Sequence, residues 1–286
     1  MESGEISEDQ VIPSNGGRPA LAYRYYYDYS LALVIHMNEK KGQDVLFFTV
    51  VNLRDEIRWR EEHPLDRFSP DHLYPLIEDI ITQFPNIKVI GLGIPGQSVD
   101  GEITVSSHHE LIGLRLDEEI ASRFELPVIV ENDVNAAISG YCHRAEEGQN
   151  TCVLGVYFPE KYPPGTGIFL NGEVFRGRRG MAGEIKFLPL NIDWSQPLDP
   201  KRFIATVCPV LQTLNAILAP DKIVIYRENL KVEQLHQAWK AYISQHPMPT
   251  LPDIHVSHTL DDDFEMGMRW LTLKQLDPLP NVNSGN

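Results

Sequence analysis

The first 20 residues are mostly polar and end in the turn-forming run Asn15-Gly16-Gly17-Arg18-Pro19. Tyr29–Met37 and Val45–Asn52 then carry the aromatic and β-branched residues of strands, and the Gly-containing link Asn38–Gly42 predicts a hairpin between them. A third strand begins near Glu56. Apolar residues recur at helical spacing over 71–83, with Pro75 tolerated in the first turn. Ile87–Ile94 reads as an apolar strand running into the turn Pro95-Gly96. Leu116–Phe124 follows as a helix, Pro127–Val130 as a short apolar strand and Val134–Glu147 as a second helix. Strands alternating with helices predict parallel α/β layers.

Residues 152–158 and 166–176 read as another hairpin, with Asn171-Gly172 as its tight turn. The remaining pattern gives a helix (203–218), a strand (Lys222–Tyr226), a helix (232–245), a strand (Asp253–Val256) and a last helix (262–275). The tail Pro278–Asn286 is expected to be disordered. The aromatic run Tyr23–Tyr29 reads as a strand packed on both faces rather than as a nucleic-acid platform. No internal repeat and no low-complexity tract stands out.

Composition narrows the function classes. A chain of 286 residues with 42% hydrophobic and 23% charged content has room for one large domain or two modest ones. No apolar run reaches the about 18 residues of a membrane span, and the acidic start Met1–Glu5 is not a secretion signal. Cys142, Cys152 and Cys208 have neither paired nor zinc-like spacing and read as reduced thiols, so a cytoplasmic location is expected. The net charge of −15 offers no basic footprint for counterion release, so no direct DNA contact is expected from this chain.

Candidate chemistry gathers where strands end. Glu131-Asn132-Asp133 follows the strand Pro127–Val130, and side chains at the carboxyl end of a buried parallel strand face the ligand crevice of α/β proteins. Asn132 donates and accepts while Asp133 accepts, a pairing suited to neighbouring hydroxyls of a polyol. Asp133 also fits a general base, or simply a cap on the following helix. Gly96 ends another strand at the same expected edge, as a close-approach point for a ligand or as a plain turn. Glu184 lies in the glycine-rich stretch 172–185, before an apolar run. Asp261-Asp262-Asp263 reads as a set of acids complementing a helix start rather than as a metal cluster. His255 and His258 lack a third ligand, and His108-His109 reads as an exposed turn beside the crevice. Neither a Gly-x-x-x-x-Gly-Lys phosphate loop nor a Gly-x-Ser-x-Gly elbow is present.

Three segments in succession resemble the ROK (repressor, open reading frame, kinase) family: Gly91–Gly96, Leu126–Asp133, and Asn171-Gly172-Glu173 followed by Gly177 and Ala182–Ile185. The resemblance spans about residues 87–190, with a looser match reaching Gly267. It implies an α/β protein of the actin-like (ribonuclease H-like), two-lobed sugar-kinase fold. It also implies ligand-binding roles for Gly96, Asn132, Asp133 and Glu184, and Asp133 as the base in members that phosphorylate. Glu110 stands where the family usually has Asn before Leu111 and is counted with the ligand-binding set.

The departures from the family sit mainly on the nucleotide side. The phosphate loop after the first strand is replaced by His36–Lys41, and the second phosphate segment by Pro159–Pro164. Tyr226-Arg227 stand where a Gly-Gly pair packs against adenosine. Lys186-Phe187 replace the Gly-His after Glu184, and the zinc-binding cysteines are missing, so no metal is expected. The run Ser14–Tyr23 is similar to the junction between DNA reader and sensor in ROK repressors.

These features give a set of expectations. Residues 1–21 form a remnant wing or linker, 22–126 an N-terminal lobe onto which the helix 262–275 packs back, 127–261 a C-terminal lobe, and 278–286 a tail. The expected function is non-catalytic sensing of a sugar or sugar phosphate between the lobes, transcriptional-regulator-like and homodimeric, without a cofactor or membrane contact. The alternative is an ATP- and Mg-dependent hexose kinase with Asp133 as base.

Overall fold

The computed structural model describes residues 5–12, 20–106, 108–160, 162–190, 192–194, 196, 198–258 and 260–276. The turn run 15–19 and the tail 278–286 lie outside the described residues. A ribbon of β1 (Ile6–Ile12) and β2 (Ala20–Tyr25) opens the chain in antiparallel register. The first half continues with β3 (Leu31–Lys40), β4 (Gln43–Asn52), β5 (Ile57–Leu65), α1 (Pro70–Gln83) and β6 (Ile87–Ile94). A small hairpin of β7 (Gly96–Val99) and β8 (Glu102–Ser106) leads to α2 (Leu116–Phe124), β9 (Val128–Asn132) and α3 (Asp133–Arg144). The second half runs β10 (Cys152–Tyr157), β11 (Gly165–Leu170), β12 (Glu173–Val174), α4 (Pro200–Leu218), β13 (Lys222–Tyr226), α5 (Val232–Gln245), β14 (Asp253–Ser257) and α6 (Leu260–Leu273).

Two five-stranded sheets have the same plan. Their orders are β5-β4-β3-β6-β9 and β12-β11-β10-β13-β14. In each, an antiparallel meander of three strands is joined by two parallel strands, and a helix follows the last one. The two halves are therefore a structural duplication, which the sequence does not display as a repeat.

The strand period explains the layering. Along β3, Leu33 and Ile35 turn to the core shared with α1 and α2, while Ala32 and Val34 turn to the core shared with α3 and α6. A sheet covered on both faces needs continuous apolar strands, which is what Leu31–Ile35 supplies. The second sheet packs α4 and α5 outside, against Leu154, Val156 and Ile223. The middle layer is α3 crossing α6, and the crossing is too close for side chains. A Cβ on Gly140 would stand 2.0 Å from the Asp263 carbonyl oxygen, and one on Gly267 only 1.8 Å from that of Ala136.

Several expectations change. The strand 128–132 was expected to open the second lobe at residue 127, but it hydrogen-bonds to β6 in the first sheet. Alternation of strand and helix does not say which sheet a strand joins. Asn171-Gly172, both at positive φ, turn β11 into β12 rather than β10 into β11. Tyr23, Tyr26 and Tyr27 are not packed on both faces: they are 53%, 47% and 39% exposed, since the β1–β2 ribbon joins neither large sheet. Asp261, Asp262 and Asp263 stand in the first turn of α6, as expected, and Asp263 is in addition fully buried.

Candidate functional site

β9 delivers Asn132 and Asp133 to the carboxyl edge of the first sheet. Asn132 has extended backbone angles, and its side-chain oxygen accepts the N–H groups of Val134 (2.9 Å) and Asn135 (3.1 Å). The helix cap expected of Asp133 is thus Asn132. The Asn132 amide nitrogen donates to the Gly96 carbonyl at 2.9 Å and to Asp133 Oδ1 at 2.7 Å. Asp133 Oδ1 also accepts the Val134 N–H at 3.0 Å. Burial nevertheless pushes the Asp133 carboxyl up to about 6, against these hydrogen bonds and with a further push from Glu184.

Two cavities meet at Asp133 and share Pro95, Tyr157, Pro159 and Tyr162 in their walls. One, of about 340 Å³, is lined by Gly96, Gln97, Ser106, His109, Asn132, Thr166, Glu184 and Lys186. Glu184 and Lys186 are largely buried there and paired at 3.0 Å, so the cavity presents a carboxylate, an ammonium, an amide and a hydroxyl around one space. That mixture of donors and acceptors is what a polyol requires.

The other cavity, of about 320 Å³, has a different character. Glu39, Asp44, Glu160, Glu228 and Asp261 line it together with Asp133. The β3–β4 hairpin beside it closes in a two-residue turn, with Lys40 paired to Gln43 and Lys41 and Gly42 at positive φ, and offers no phosphate cradle. At the end of β13, Tyr226 is fully buried and donates to Asp263 at 3.0 Å. Arg227 lays its guanidinium 3.9 Å from the Phe203 ring centre and donates to the Phe158 carbonyl at 3.2 Å. The carboxylates would repel the phosphates of a nucleoside triphosphate, and Tyr226 and Arg227, which stand where the family resemblance places a Gly-Gly pair, are engaged with the protein's own groups.

The remaining expected residues fall as follows. Gly96 lines the first cavity, but its missing side chain serves the β7–β8 hairpin, where a Cβ would stand 2.4 Å from the Val105 carbonyl oxygen. Glu110 is outside the lining of both cavities and faces Arg67 at 3.3 Å. His108, expected to be exposed, is half-buried, lines the acidic cavity and lies 3.0 Å from Asp44. His258 meets the Arg227 carbonyl at 3.0 Å, and among the described residues no group of three His, Cys, Asp or Glu is placed to hold a metal. Tyr157 and Thr166 went unremarked in the sequence. The available signal was position, since β10 ends at Tyr157 on the edge where β9 ends at Asn132. No helix among the described residues is long and apolar enough to cross a membrane.

The duplicated sheets around a central helix pair, with a cleft at the strand ends, define an actin-like, two-lobed protein of the sugar-kinase fold. The chain belongs to the ROK family, whose model matches residues 41–208. It is 25% identical over 203 residues to the xylose repressor of Caldicellulosiruptor bescii, covering 67% of this chain and 49% of that protein. It is 30% identical over 140 residues to the N-acetyl-D-glucosamine kinase of Mannheimia succiniciproducens, covering 46% and 44%. The chain spans about half the length of these curated relatives. Among solved structures, the ROK hexokinase of Thermus thermophilus superposes with a TM-score of 0.67 at 16% identity, over 86% of this chain and 98% of that one. A ROK family transcriptional regulator, a homolog of the E. coli MLC protein, gives 0.60 at 16%, over 96% and 87%.

Proposed function

We propose that this chain is a non-catalytic sugar-sensing ROK domain that binds a sugar or sugar phosphate between its lobes, with Asn132, Asp133 and Glu184 as hydroxyl partners. One observation carries the reading. The two cavities that meet at Asp133 differ in kind: one is a mixed polar space suited to hydroxyls, and the other is walled by carboxylates that would repel a triphosphate. Relatives named as xylose repressors support a regulatory setting, in which the bound sugar favours one interlobe angle that a partner or dimer mate reads. The same reading makes the protein a cytoplasmic homodimer that touches DNA only through other segments or partners, and needs neither metal nor ATP.

The kinase reading rests on Asp133, whose raised carboxyl suits a general base, and on relatives named as N-acetyl-D-glucosamine kinases. A coupled assay with Mg-ATP and a panel of D-xylose, D-glucose and N-acetyl-D-glucosamine separates the two. Calorimetric binding of a sugar without turnover is expected; turnover that disappears in Asp133→Asn sinks the sensor reading.

A further inference from the structure

The residue before Asn132 is a buried carboxylate that the sugar reading does not use. Glu131 is 6% exposed on β9, and both of its oxygens are engaged. Oε1 accepts the Asn132 N–H at 3.1 Å and the Asn135 side-chain amide at 3.0 Å. Oε2 accepts two N–H groups of Arg176, from Nε at 3.0 Å and from Nη2. Arg176 follows β12 in the second sheet, so this fork ties the second lobe to the end of the first sheet, next to the candidate ligand residues.

The segment that Arg176 begins, residues 176–186, is the one that carries Glu184 and Lys186. It leaves the second sheet, approaches the β7–β8 hairpin, where a Cβ on Gly180 would stand 3.0 Å from the Ser98 carbonyl oxygen, and returns to β11. On return, Gly183 sits at positive φ and accepts the Thr166 N–H at 3.1 Å, with no room for a Cβ, which would stand 1.9 Å from the Thr166 carbonyl oxygen. Beside the β7–β8 hairpin the Arg179–Asp100 pair is exposed on both sides and contributes little. The tie with a buried end is Arg176 to Glu131: the carboxylate is 6% exposed, while the arginine side chain that forks onto it is 52% exposed.

We infer that Arg176 is a positioning residue: through Glu131 it locks the 176–186 segment to β9, so that Glu184 and Lys186 from one lobe face Asn132 and Asp133 from the other. The inference rests on the sugar-sensing reading for its ligand and adds the coupling that lets occupancy of the cavity set the lobe angle. A ligand gripped by Asn132 and Glu184 pulls on two elements already joined by the Arg176 fork, so grip and lobe angle move together.

The test uses the whole chain with Arg176→Met and, as a variant that keeps the charge but not the fork, Arg176→Lys. Two readouts are taken, with circular dichroism melts as the folding control. In native tryptic digestion, cleavage after Arg178 and Arg179 is expected to be about 10-fold faster in Arg176→Met than in wild type, and intermediate in Arg176→Lys. In calorimetry with D-xylose, D-glucose and N-acetyl-D-glucosamine, Arg176→Met is expected to bind the wild-type ligand about 10-fold more weakly, with partial recovery in Arg176→Lys. Unchanged tryptic cleavage in both variants overturns the inference, as does an unchanged Kd. If the wild-type chain binds none of the three sugars, the sensing reading falls, and the positioning role stands or falls on the tryptic rate alone.

Discussion

Arg144 on α3 and Asp263 on α6 meet at 2.7 Å, and the Asp263 side chain is fully buried. Tyr226 at the end of β13 donates to the other carboxylate oxygen at 3.0 Å. Three elements of the middle and second layers thus converge on one acid. Burial holds its carboxyl up at about 6 from the usual 3.8, against the pull of Arg144 and Tyr226.

That shift has a definite sign. A carboxyl raised on folding contributes stability that is complete below 3.8 and lost as the pH rises through about 6. Arg144→Met removes the compensating charge and leaves a buried anion, which costs about 3–5 kcal/mol when the pair is wholly buried and less here because Arg144 is half-exposed. The loss is expected to be larger near neutral pH than at about pH 5, where Asp263 takes up a proton. Urea denaturation at the two pH values measures it, and equal losses would refute the assignment.

The α3–α6 crossing makes a second, simpler prediction. Gly267→Ala and Gly140→Ala each place a methyl group inside a neighbouring backbone carbonyl. Each is expected to cost about 1–3 kcal/mol or more, because the helices must move apart. A melt within a degree of wild type for both variants would mean that the helices cross less tightly than this.

What the sequence disclosed and what it hid follow from the range of the interactions. Leu116–Phe124 is a helix over the same residues that the pattern predicts, because helical spacing and burial of Leu116 and Ile120 are local properties. Asn132 and Asp133 fall at a strand end for the same reason: a short apolar run followed by polar residues marks an edge. The Arg176–Glu131 fork joins residues 45 apart in sequence and belongs to neither local pattern. The burial of Asp263 was hidden by its neighbours, since three acids at a helix start read alike as dipole partners until β13 and α3 close over one of them. The duplication was invisible because a repeated strand order constrains only where apolar residues alternate, not which residues they are. Glu110 was placed by resemblance alone, and its side chain turns to Arg67 instead.

The acidic cavity predicts the response to nucleotide. Millimolar Mg-ATP is expected to leave the melting temperature of the chain unchanged, because stabilisation by a ligand grows only once its concentration exceeds Kd. Glu39, Asp44, Glu160 and Asp261 all line that cavity and would repel phosphates entering it. Differential scanning fluorimetry with and without Mg-ATP is sufficient. A rise of several degrees would show that the carboxylates rearrange, or bind the metal, to admit the triphosphate, and the sensor reading would then lose its main support.

Asp133 ties sugar binding to pH with the opposite sign from its effect on stability. Its carboxyl is raised from 3.8 to about 6, first by burial, so its contribution to stability is complete below 3.8 and lost as the pH rises through about 6. Its value as an acceptor for sugar hydroxyls runs the other way, because the carboxylate is the stronger acceptor and is populated above about 6. Affinity for sugar is therefore expected to strengthen as the pH rises through that value while the ligand-free chain loses stability. Asp133→Asn keeps an oxygen in place for the Val134 N–H and the Asn132 amide, so the fold persists. The variant is expected to bind sugar about 10-fold more weakly near neutral pH, to lose the pH dependence, and to melt no lower than wild type. Calorimetry across that pH range decides the matter: a wild-type affinity that does not change with pH removes Asp133 from the ligand contacts.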